Sequence, residues 1–283
     1  MKAAGRAVPQ WAGRRITDVT KRMDASAMKV AILAGGRGKR LLEQTRRRPK
    51  PLIEIGGHPI LWHVMKHYDF YGHRDFVIAL GYRGDRIKRQ MADLCALAGD
   101  LTVHAGAGRI SRRDSGGPDW TVDLIETGLD TATGGRIKRL RPALGDQTFM
   151  LTYSDVLSDV NLDDLAAYHR SHGKLVTLTA VQPPYRFGRL KLDGERVSSF
   201  VEKPRHSQDW VSGGFFVLEP GALDYIQGDA TSWEGESLER LARDGELMAF
   251  RHKGFWQCMD TPYDREVLEE LWQRGKAPWK VWE

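Results

Sequence analysis

The chain has 283 residues, of which 41% are hydrophobic and 28% are charged. This balance is typical of a folded globular protein and excludes a disordered or fibrous chain. No apolar run is long enough to span a bilayer, and two cysteines do not make a disulfide framework. Because scarce cysteine fits a reducing compartment, we expect a cytoplasmic protein with no membrane partner.

The formal net charge of +6 is concentrated near the N-terminus. Residues 1–27 hold six basic and two acidic residues and lack a continuous apolar core, so we expect a flexible basic extension, or a start codon upstream of the one at Met28, and not a signal peptide. Residues 28–283 are close to neutral, which argues against a nucleic-acid partner. Since no Pro-, Gly- or Ser-rich linker divides them, we expect a single α/β domain that ends in a Trp-rich tail.

Short apolar runs alternate with helix-like segments in the first third of the chain. Lys29–Ala34 and Phe76–Leu80 are apolar and β-prone, which predicts two fully buried strands. Helices are expected at Pro59–Tyr68 and Asp85–Leu94. A strand, a helix and a second strand at this spacing indicate a βαβ unit, and hence parallel strands.

The rest of the chain continues the alternation of strands and helices. Residues 106–119 are polar and glycine-rich, and we expect a long loop there that serves as a lid, an interface arm or a mobile segment. Further strands are predicted at Thr121–Glu126, Phe149–Tyr153 and Leu175–Val181, with three strand-like runs within 188–219, and further helices at Gly134–Leu140, Leu162–His172, Leu238–Arg243 and Arg265–Trp272.

The strongest chemical motif is the glycine-rich run Leu33-Ala-Gly-Gly-Arg-Gly-Lys-Arg-Leu41, followed by Pro49-Lys50-Pro51. Glycines directly after a buried strand present main-chain N–H groups with no Cβ in the way, an arrangement that binds phosphate oxygens. The spacing is that of neither a P-loop nor a dinucleotide fingerprint. With Arg40 and Lys50 as two cations nearby, the motif favours a triphosphate ligand over a solvated glycine turn.

Two aspartates stand out downstream of the glycine motif. Asp155 follows a predicted buried strand, where open α/β sheets bind ligands, although an N-cap role is the simpler alternative. If Asp260 meets it, the two carboxylates suit Mg²⁺. Glu202-Lys203-Pro204 and Ser212-Gly213-Gly214 are weaker signals, for which a salt-bridged strand end and a β-bulge are the simpler explanations. His63 and His67 lack a third metal ligand, so we expect ordinary helix residues.

In this order the motifs resemble those of the sugar-1-phosphate nucleotidylyltransferases, and most closely the branch that joins a cytidylyl group to glucose 1-phosphate. The resemblance covers about residues 28–283. It implies a Rossmann-like nucleotidyltransferase fold with a mixed, mostly parallel sheet. It also implies the reaction of CTP with α-D-glucose 1-phosphate to CDP-glucose and pyrophosphate, Mg²⁺ as cofactor, a homo-oligomer that is commonly a hexamer, and a place in polysaccharide biosynthesis. The matching segments are Gly56–His63, Gly81–Gly84, Thr133–Arg136, Gly213–Leu218 and Gly275–Trp279.

The resemblance also implies roles for individual residues. The nucleotide would be held by Leu33, Ala34, Gly35, Gly36, Arg37, Gly38, Lys39, Thr131, Arg136 and Ser154. Catalytic cations would be Arg40 and Lys50, metal ligands Asp155 and Asp260, and sugar-phosphate contacts Glu202, Lys203 and Gly214. Lys39, Ser154 and Ser212 stand where the family usually has Thr, Gly and Asn. Another sugar 1-phosphate, or UTP or dTTP in place of CTP, is therefore the alternative.

The expected chemistry requires no general base, because a phosphate oxygen of the sugar 1-phosphate is already anionic. Catalysis is then charge neutralisation and in-line positioning. Two rival functions stay open from the sequence alone. One is a glycosyltransferase, which has no triphosphate to hold, and the other is a sensor that binds a sugar nucleotide without turnover.

Overall fold

A computed structural model of the protein describes residues 27–38, 48–113, 117–183, 189–201 and 209–282. The predicted basic extension, except for residue 27, lies outside the described residues, as do Lys39, Arg40, Glu202 and Lys203. The strands are β1 (Val30–Leu33), β2 (Glu54–Ile55), β3 (His58–Pro59), β4 (Asp75–Leu80), β5 (Asp100–His104), β6 (Arg109–Arg113), β7 (Thr121–Glu126), β8 (Phe149–Tyr153), β9 (Val156–Ser158), β10 (Val176–Val181), β11 (Arg189–Asp193), β12 (Arg196–Val201), β13 (Val211–Leu218), β14 (Leu247–Arg251) and β15 (Trp256–Cys258).

The helices lie between these strands at nearly all the positions that the sequence predicts. They are α1 (Ile60–Phe70), α2 (Gly84–Ala96), α3 (Thr133–Arg139), α4 (Arg141–Leu144), α5 (Leu162–His172), α6 (Leu238–Arg243) and α7 (Pro262–Gln273). Short 3₁₀ or π turns occupy Lys50–Leu52, Ala105–Ala107, Pro220–Tyr225 and Trp233–Ser237. Within the described ranges, none of the helices is both long and apolar enough to cross a membrane.

Seven strands form one central sheet in the order β14-β10-β13-β8-β1-β4-β7. Strand β1 runs parallel to both of its neighbours, β4 and β8. The pairs β4·β7 and β10·β14 are also parallel, whereas β13 is antiparallel to β8 and to β10. The predicted mixed, mostly parallel sheet is therefore confirmed, and its parallel centre places the carboxyl ends of β1, β4 and β8 at one edge.

Both faces of the sheet are covered, which explains why its central strand is apolar at every position. In β1, Val30 and Ile32 belong to the core on one face and Ala31 and Leu33 to the core on the other. Side chains alternate along a strand, so a strand covered on both sides has no polar positions. Helix α1 covers the first face, and α3 and α6 cover the second.

The structure differs from the sequence prediction mainly in its short ribbons. The predicted loop 106–119 contains β6, which pairs with β5 in an antiparallel hairpin. All of β5 is exposed. Its sequence, Asp100-Leu-Thr-Val-His104, alternates polar and apolar residues, a strand signal that the sequence analysis missed, whereas β6 has a single apolar residue and no such signal. Strands β9 and β15, which pair with each other, were also missed, because three residues are too few for a periodic signal.

The Trp-rich tail packs on its own domain. Trp279 is 1% exposed and its Nε1 lies 3.4 Å from His63 Nδ1. His63 Nε2 lies 2.8 Å from the carbonyl oxygen of Ile55, and His67 Nε2 lies 3.0 Å from that of Val160. Both histidines lie on α1 and are buried in the protein interior, as expected for ordinary helix residues.

Candidate active site

A cleft of about 670 Å³ opens at the carboxyl ends of β1 and β8, where sheets of this topology bind ligands. Of the residues predicted to form the site, those that line it are Leu33, Ala34, Gly35, Gly36, Arg37, Gly38, Lys50, Thr131, Arg136, Ser154, Asp155 and Asp260. Lining residues to which the sequence analysis assigned no individual role are Pro51, Leu129, Asp130, Ala132, Thr133 and Tyr153. Segments from widely separated parts of the chain therefore lie together at one edge of the sheet.

The glycines after β1 have different surroundings. A Cβ on Gly35 would overlap the guanidinium of Arg136, and a Cβ on Gly81 would overlap the same group. A Cβ on Gly36 would meet nothing within 4 Å, so Gly36 presents its backbone to open space. Gly38 has a φ of +58°, which favours glycine. The motif therefore combines one position that makes room for a protein side chain with others that leave the cleft open.

Arg136 lies directly behind this turn and is 6% exposed. Its Nη1 donates to the carbonyl oxygen of Gly128 at 2.7 Å, to Thr127 Oγ1 at 2.7 Å and to the carbonyl oxygen of Leu80 at 3.0 Å. Nη2 donates to the carbonyl oxygen of Leu129 at 3.3 Å. These bonds fix the start of the segment that carries Thr131 into the cleft. The implied nucleotide contact of Arg136 stays a prediction, because its recorded partners are protein groups.

On the other side of the cleft a lysine lies between two carboxylates. Lys50 Nζ donates to Asp155 Oδ2 and, at 2.6 Å, to Asp260 Oδ1. Burial alone would lower the pKa of the Lys50 ammonium, but the attraction of both carboxylates outweighs it and holds the pKa above 10.5. The two aspartates that the sequence could not bring together thus contact the same nitrogen atom.

The ribbon of β9 and β15 accounts for this meeting. Its register pairs Val156 with Cys258, so Asp155 immediately precedes one strand and Asp260 shortly follows the other. The backbone N–H of Met259 donates to the carbonyl oxygen of Asp155 at 2.9 Å. The two strands have three residues each and are separated by about a hundred residues, so no periodic pattern in the sequence predicts that they pair.

Two sides of the cleft are joined by Glu234, which the sequence analysis missed. Tyr153, at the end of β8, donates its hydroxyl to Glu234 Oε1 at 2.7 Å, and Thr133 Oγ1 donates to Glu234 Oε2. Gly214 lies behind Tyr153, and a Cβ there would come within 2.7 Å of its ring. Gly214 is therefore in contact with the wall of the cleft and is not among its lining residues. Its implied sugar-phosphate contact stays a prediction.

A model of the family described as nucleotidyl transferase matches residues 29–262. The chain belongs to the nucleotidyl transferase family. Two curated relatives of this nucleotidyl transferase, from Salmonella typhi and Salmonella typhimurium strain LT2, are both named glucose-1-phosphate cytidylyltransferase. Each is 48% identical over 257 residues, which make up 90% of this chain and 100% of the relative.

The fold of this nucleotidyl transferase also has solved counterparts. The crystal structure of HddC from Yersinia pseudotuberculosis superposes with a TM-score of 0.65 and 22% identity, over 87% of this chain and 99% of that one. Likeness at this identity concerns the fold alone. Together with the sheet order it confirms the predicted Rossmann-like α/β fold.

Proposed function

We propose that this nucleotidyl transferase is a glucose-1-phosphate cytidylyltransferase, which converts CTP and α-D-glucose 1-phosphate to CDP-glucose and pyrophosphate. The observation that carries the reaction type is that an open glycine turn and the Lys50 group line one cleft. Such a cleft suits two phosphate-bearing substrates. The names of the relatives at 48% identity support CTP as the nucleotide substrate and glucose 1-phosphate as the sugar substrate.

In the proposed reaction an oxygen of the sugar phosphate attacks the α-phosphorus of CTP. The new O–P bond replaces the bond to the β-phosphate, and pyrophosphate leaves with the electron pair. Lys50 would neutralise charge on the reacting phosphates, and Arg40 would do so on pyrophosphate. The open backbone at Gly36 would receive phosphate oxygens, and Thr131 and Ser154 would lie beside the nucleoside. Since both reactants are anions, positioning and charge neutralisation supply the catalysis.

The residues present fit a divalent cation. Asp155 and Asp260 offer carboxylate oxygens to one point in space, now contacted by the Lys50 ammonium. Among the described residues no group of three His, Cys, Asp or Glu side chains could hold a metal. Mg²⁺ is commonly bound by one or two carboxylates, with substrate phosphates completing its coordination shell. When bound, Mg²⁺ would neutralise charge on the α-phosphate.

We further propose that the enzyme is a cytoplasmic homo-oligomer, with a hexamer as the expected form, and that CDP-glucose enters polysaccharide biosynthesis. Two ribbons with exposed apolar side chains support association between copies. The exposed fractions are 63% for Val103 and 65% for Ile110 on one hairpin, and 50% for Leu190 and 61% for Phe200 on the other. Val103 pairs with Ile110, and Leu190 with Phe200, so each pair shares a face. Light scattering should give several subunits for the wild type and fewer for Val103→Asp or Phe200→Asp.

The proposed function is tested by a substrate panel read out as pyrophosphate release. CTP with glucose 1-phosphate should give the highest kcat/KM among CTP, UTP and dTTP and among several hexose 1-phosphates. A preference for UTP or dTTP, or for another sugar, contradicts the assignment. Release of no pyrophosphate from any pair, with tight binding of CDP-glucose, would instead favour the sensor, and transfer of glucose from CDP-glucose to an acceptor would favour a glycosyltransferase.

A further inference from the structure

Asp264 is a buried carboxylate that the proposed mechanism does not use. Only 2% of this residue is exposed, and a buried ionised side chain is stable only when donors surround its oxygens. It lies in the first turn of α7, whose N-cap is Thr261. A negative charge at a helix N-terminus is favourable, so a purely structural role must be distinguished from a functional one.

The hydrogen bonds of Asp264 go beyond those of a helix cap. Its Oδ2 accepts the backbone N–H of Thr261 at 2.8 Å, while Thr261 Oγ1 accepts the backbone N–H of Asp264 at 3.2 Å. These two bonds form a capping box. Oδ2 also accepts the backbone N–H of Asp260 at 3.0 Å, and Oδ1 accepts Gln257 Nε2 at 3.1 Å. A capping box requires neither of the last two bonds.

These additional bonds hold the segment that carries Asp260. The N–H of Met259 is bound to the carbonyl oxygen of Asp155 at 2.9 Å, and the next N–H along the chain, that of Asp260, is bound to Asp264 at 3.0 Å. Two consecutive peptide groups are therefore held by two different acceptors. From this segment the Asp260 carboxylate extends to Lys50 Nζ, at 2.6 Å.

We propose that Asp264 is a positioning residue, which holds the backbone of Asp260 so that its carboxylate stays opposite Asp155. This inference rests on the proposed function, in which these two carboxylates bind the divalent cation. Asp264 itself is not among the residues that line the cleft. Partners that orient a metal ligand commonly affect metal affinity or activity by roughly 10- to 100-fold when they are replaced.

Two substitutions separate positioning from capping. Asp264→Ala removes both oxygens, so the N–H groups of Asp260 and Thr261 lose their acceptor. Asp264→Glu keeps an acid that capping boxes accept at this position, but its longer side chain moves the oxygens away from the Asp260 N–H. Asn161→Ala is the matched control, since Asn161 caps α5 by accepting the N–H of Asp164 at 3.1 Å and is not among the residues that line the cleft.

The full-length variants are compared by thermal unfolding, by the Mn²⁺ dissociation constant from electron paramagnetic resonance with CDP-glucose present, and by kcat and KM for CTP. We expect both Asp264 variants to bind Mn²⁺ at least tenfold more weakly than the wild type and to lose at least tenfold in kcat, with KM for CTP changed less than about threefold. Asn161→Ala should lower the melting temperature only. Asp264→Glu keeps the test decisive even where Asp264→Ala unfolds.

Wild-type Mn²⁺ affinity and kcat in both folded Asp264 variants would overturn the proposal. Asp264 would then act only as part of the helix cap. A wild type that is active but binds no Mn²⁺ would also overturn it, because Asp264 would then have no metal ligand to position. Failure of the wild type to release pyrophosphate from CTP and glucose 1-phosphate would instead contradict the proposed function.

Discussion

The two walls of the cleft each contain a cation, but the surroundings of the two cations differ. In the glycine wall (Gly35, Gly36 and Arg136), the guanidinium is bound by carbonyl and hydroxyl oxygens and packs where a Cβ would otherwise lie. In the charged wall (Lys50, Asp155 and Asp260), the ammonium is bound by two carboxylates. Neutral partners in fixed geometry suit support of a turn, whereas the two carboxylates keep the Lys50 ammonium protonated despite its burial, as charge neutralisation of a phosphate requires.

The largest expected effect comes from the charged wall. Lys50→Ala should lower kcat by about a hundredfold, equivalent to about 3 kcal/mol of transition-state stabilisation, while the protein stays folded by circular dichroism. Lys88→Ala is the matched control, because Lys88 pairs with Glu126 at 2.7 Å at an exposed site on α2. Turnover of Lys50→Ala equal to that of Lys88→Ala would remove Lys50 from the reaction.

The free energy of unfolding should fall with falling pH because of the buried His67. Burial lowers the pKa of His67 from 6.5 to about 4, so below pH 6.5 the unfolded chain binds more protons and stability falls with falling pH. Between pH 7 and 5 this amounts to about 2 kcal/mol. Denaturant unfolding at the two pH values should show at least this loss, because burial also lowers the pKa of His63 and His73 to about 4, and His67→Gln should reduce the loss. An identical pH dependence in His67→Gln would contradict the assignment to His67, which binds the Val160 carbonyl just beyond β9.

The two glycines of the glycine wall should respond in opposite ways. Gly35→Ala should destabilise the fold by about 1–3 kcal/mol, because the added methyl group overlaps the Arg136 guanidinium. Gly36→Ala should leave the melting temperature nearly unchanged and raise KM for CTP. In a double-mutant cycle, Arg136→Ala should make Gly35→Ala less costly. Equal melting temperatures for Gly35→Ala and Gly36→Ala would show that the overlap is relieved elsewhere.

The smallest effect is expected at the mouth of the cleft. Arg37 Nη2 and Asp130 Oδ1 lie 2.6 Å apart, but their side chains are 51% and 86% exposed. Solvent screens such a pair, so a double-mutant cycle with Arg37→Ala and Asp130→Ala should give a coupling free energy of unfolding below about 1 kcal/mol. A larger coupling would mean that the mouth is more rigid than its exposure indicates.

The buried parts of the fold were predictable because burial leaves a pattern in the sequence. Strand β1 is apolar at each position, and α5 begins at the capping residue Asn161 and ends before Gly173. The hairpin of β5 and β6 was harder to predict, because β5 is exposed and alternates over only five residues, and β6 has a single apolar residue. The polar, glycine-rich composition of residues 106–119 therefore predicts a loop where β6 forms.

The candidate site was predictable in its residue types and not in its geometry. The glycine motif, Lys50 and the two aspartates could be singled out, but their meeting depends on the pairing of β9 with β15. The burial of Arg136 behind Gly35 depends on the packing of α3 against β1 and has no local signal. Asp264 does have a local signal, because Thr261-Pro-Tyr-Asp264 has the spacing of a capping box. Only its hydrogen bond to the Asp260 N–H could not be predicted without the structure.

The ammonium between Asp155 and Asp260 also has a consequence for the rate at which substrate arrives. Two bare carboxylates at the base of the cleft would repel an incoming polyanion, and their field would slow its diffusion into the pocket. With Lys50 between them, the net charge of the three groups is −1 instead of −2, so about half of that repulsion is cancelled before any encounter takes place. The approach of a triphosphate is then governed by the N–H groups and cations nearer the entrance, so added salt should slow its association.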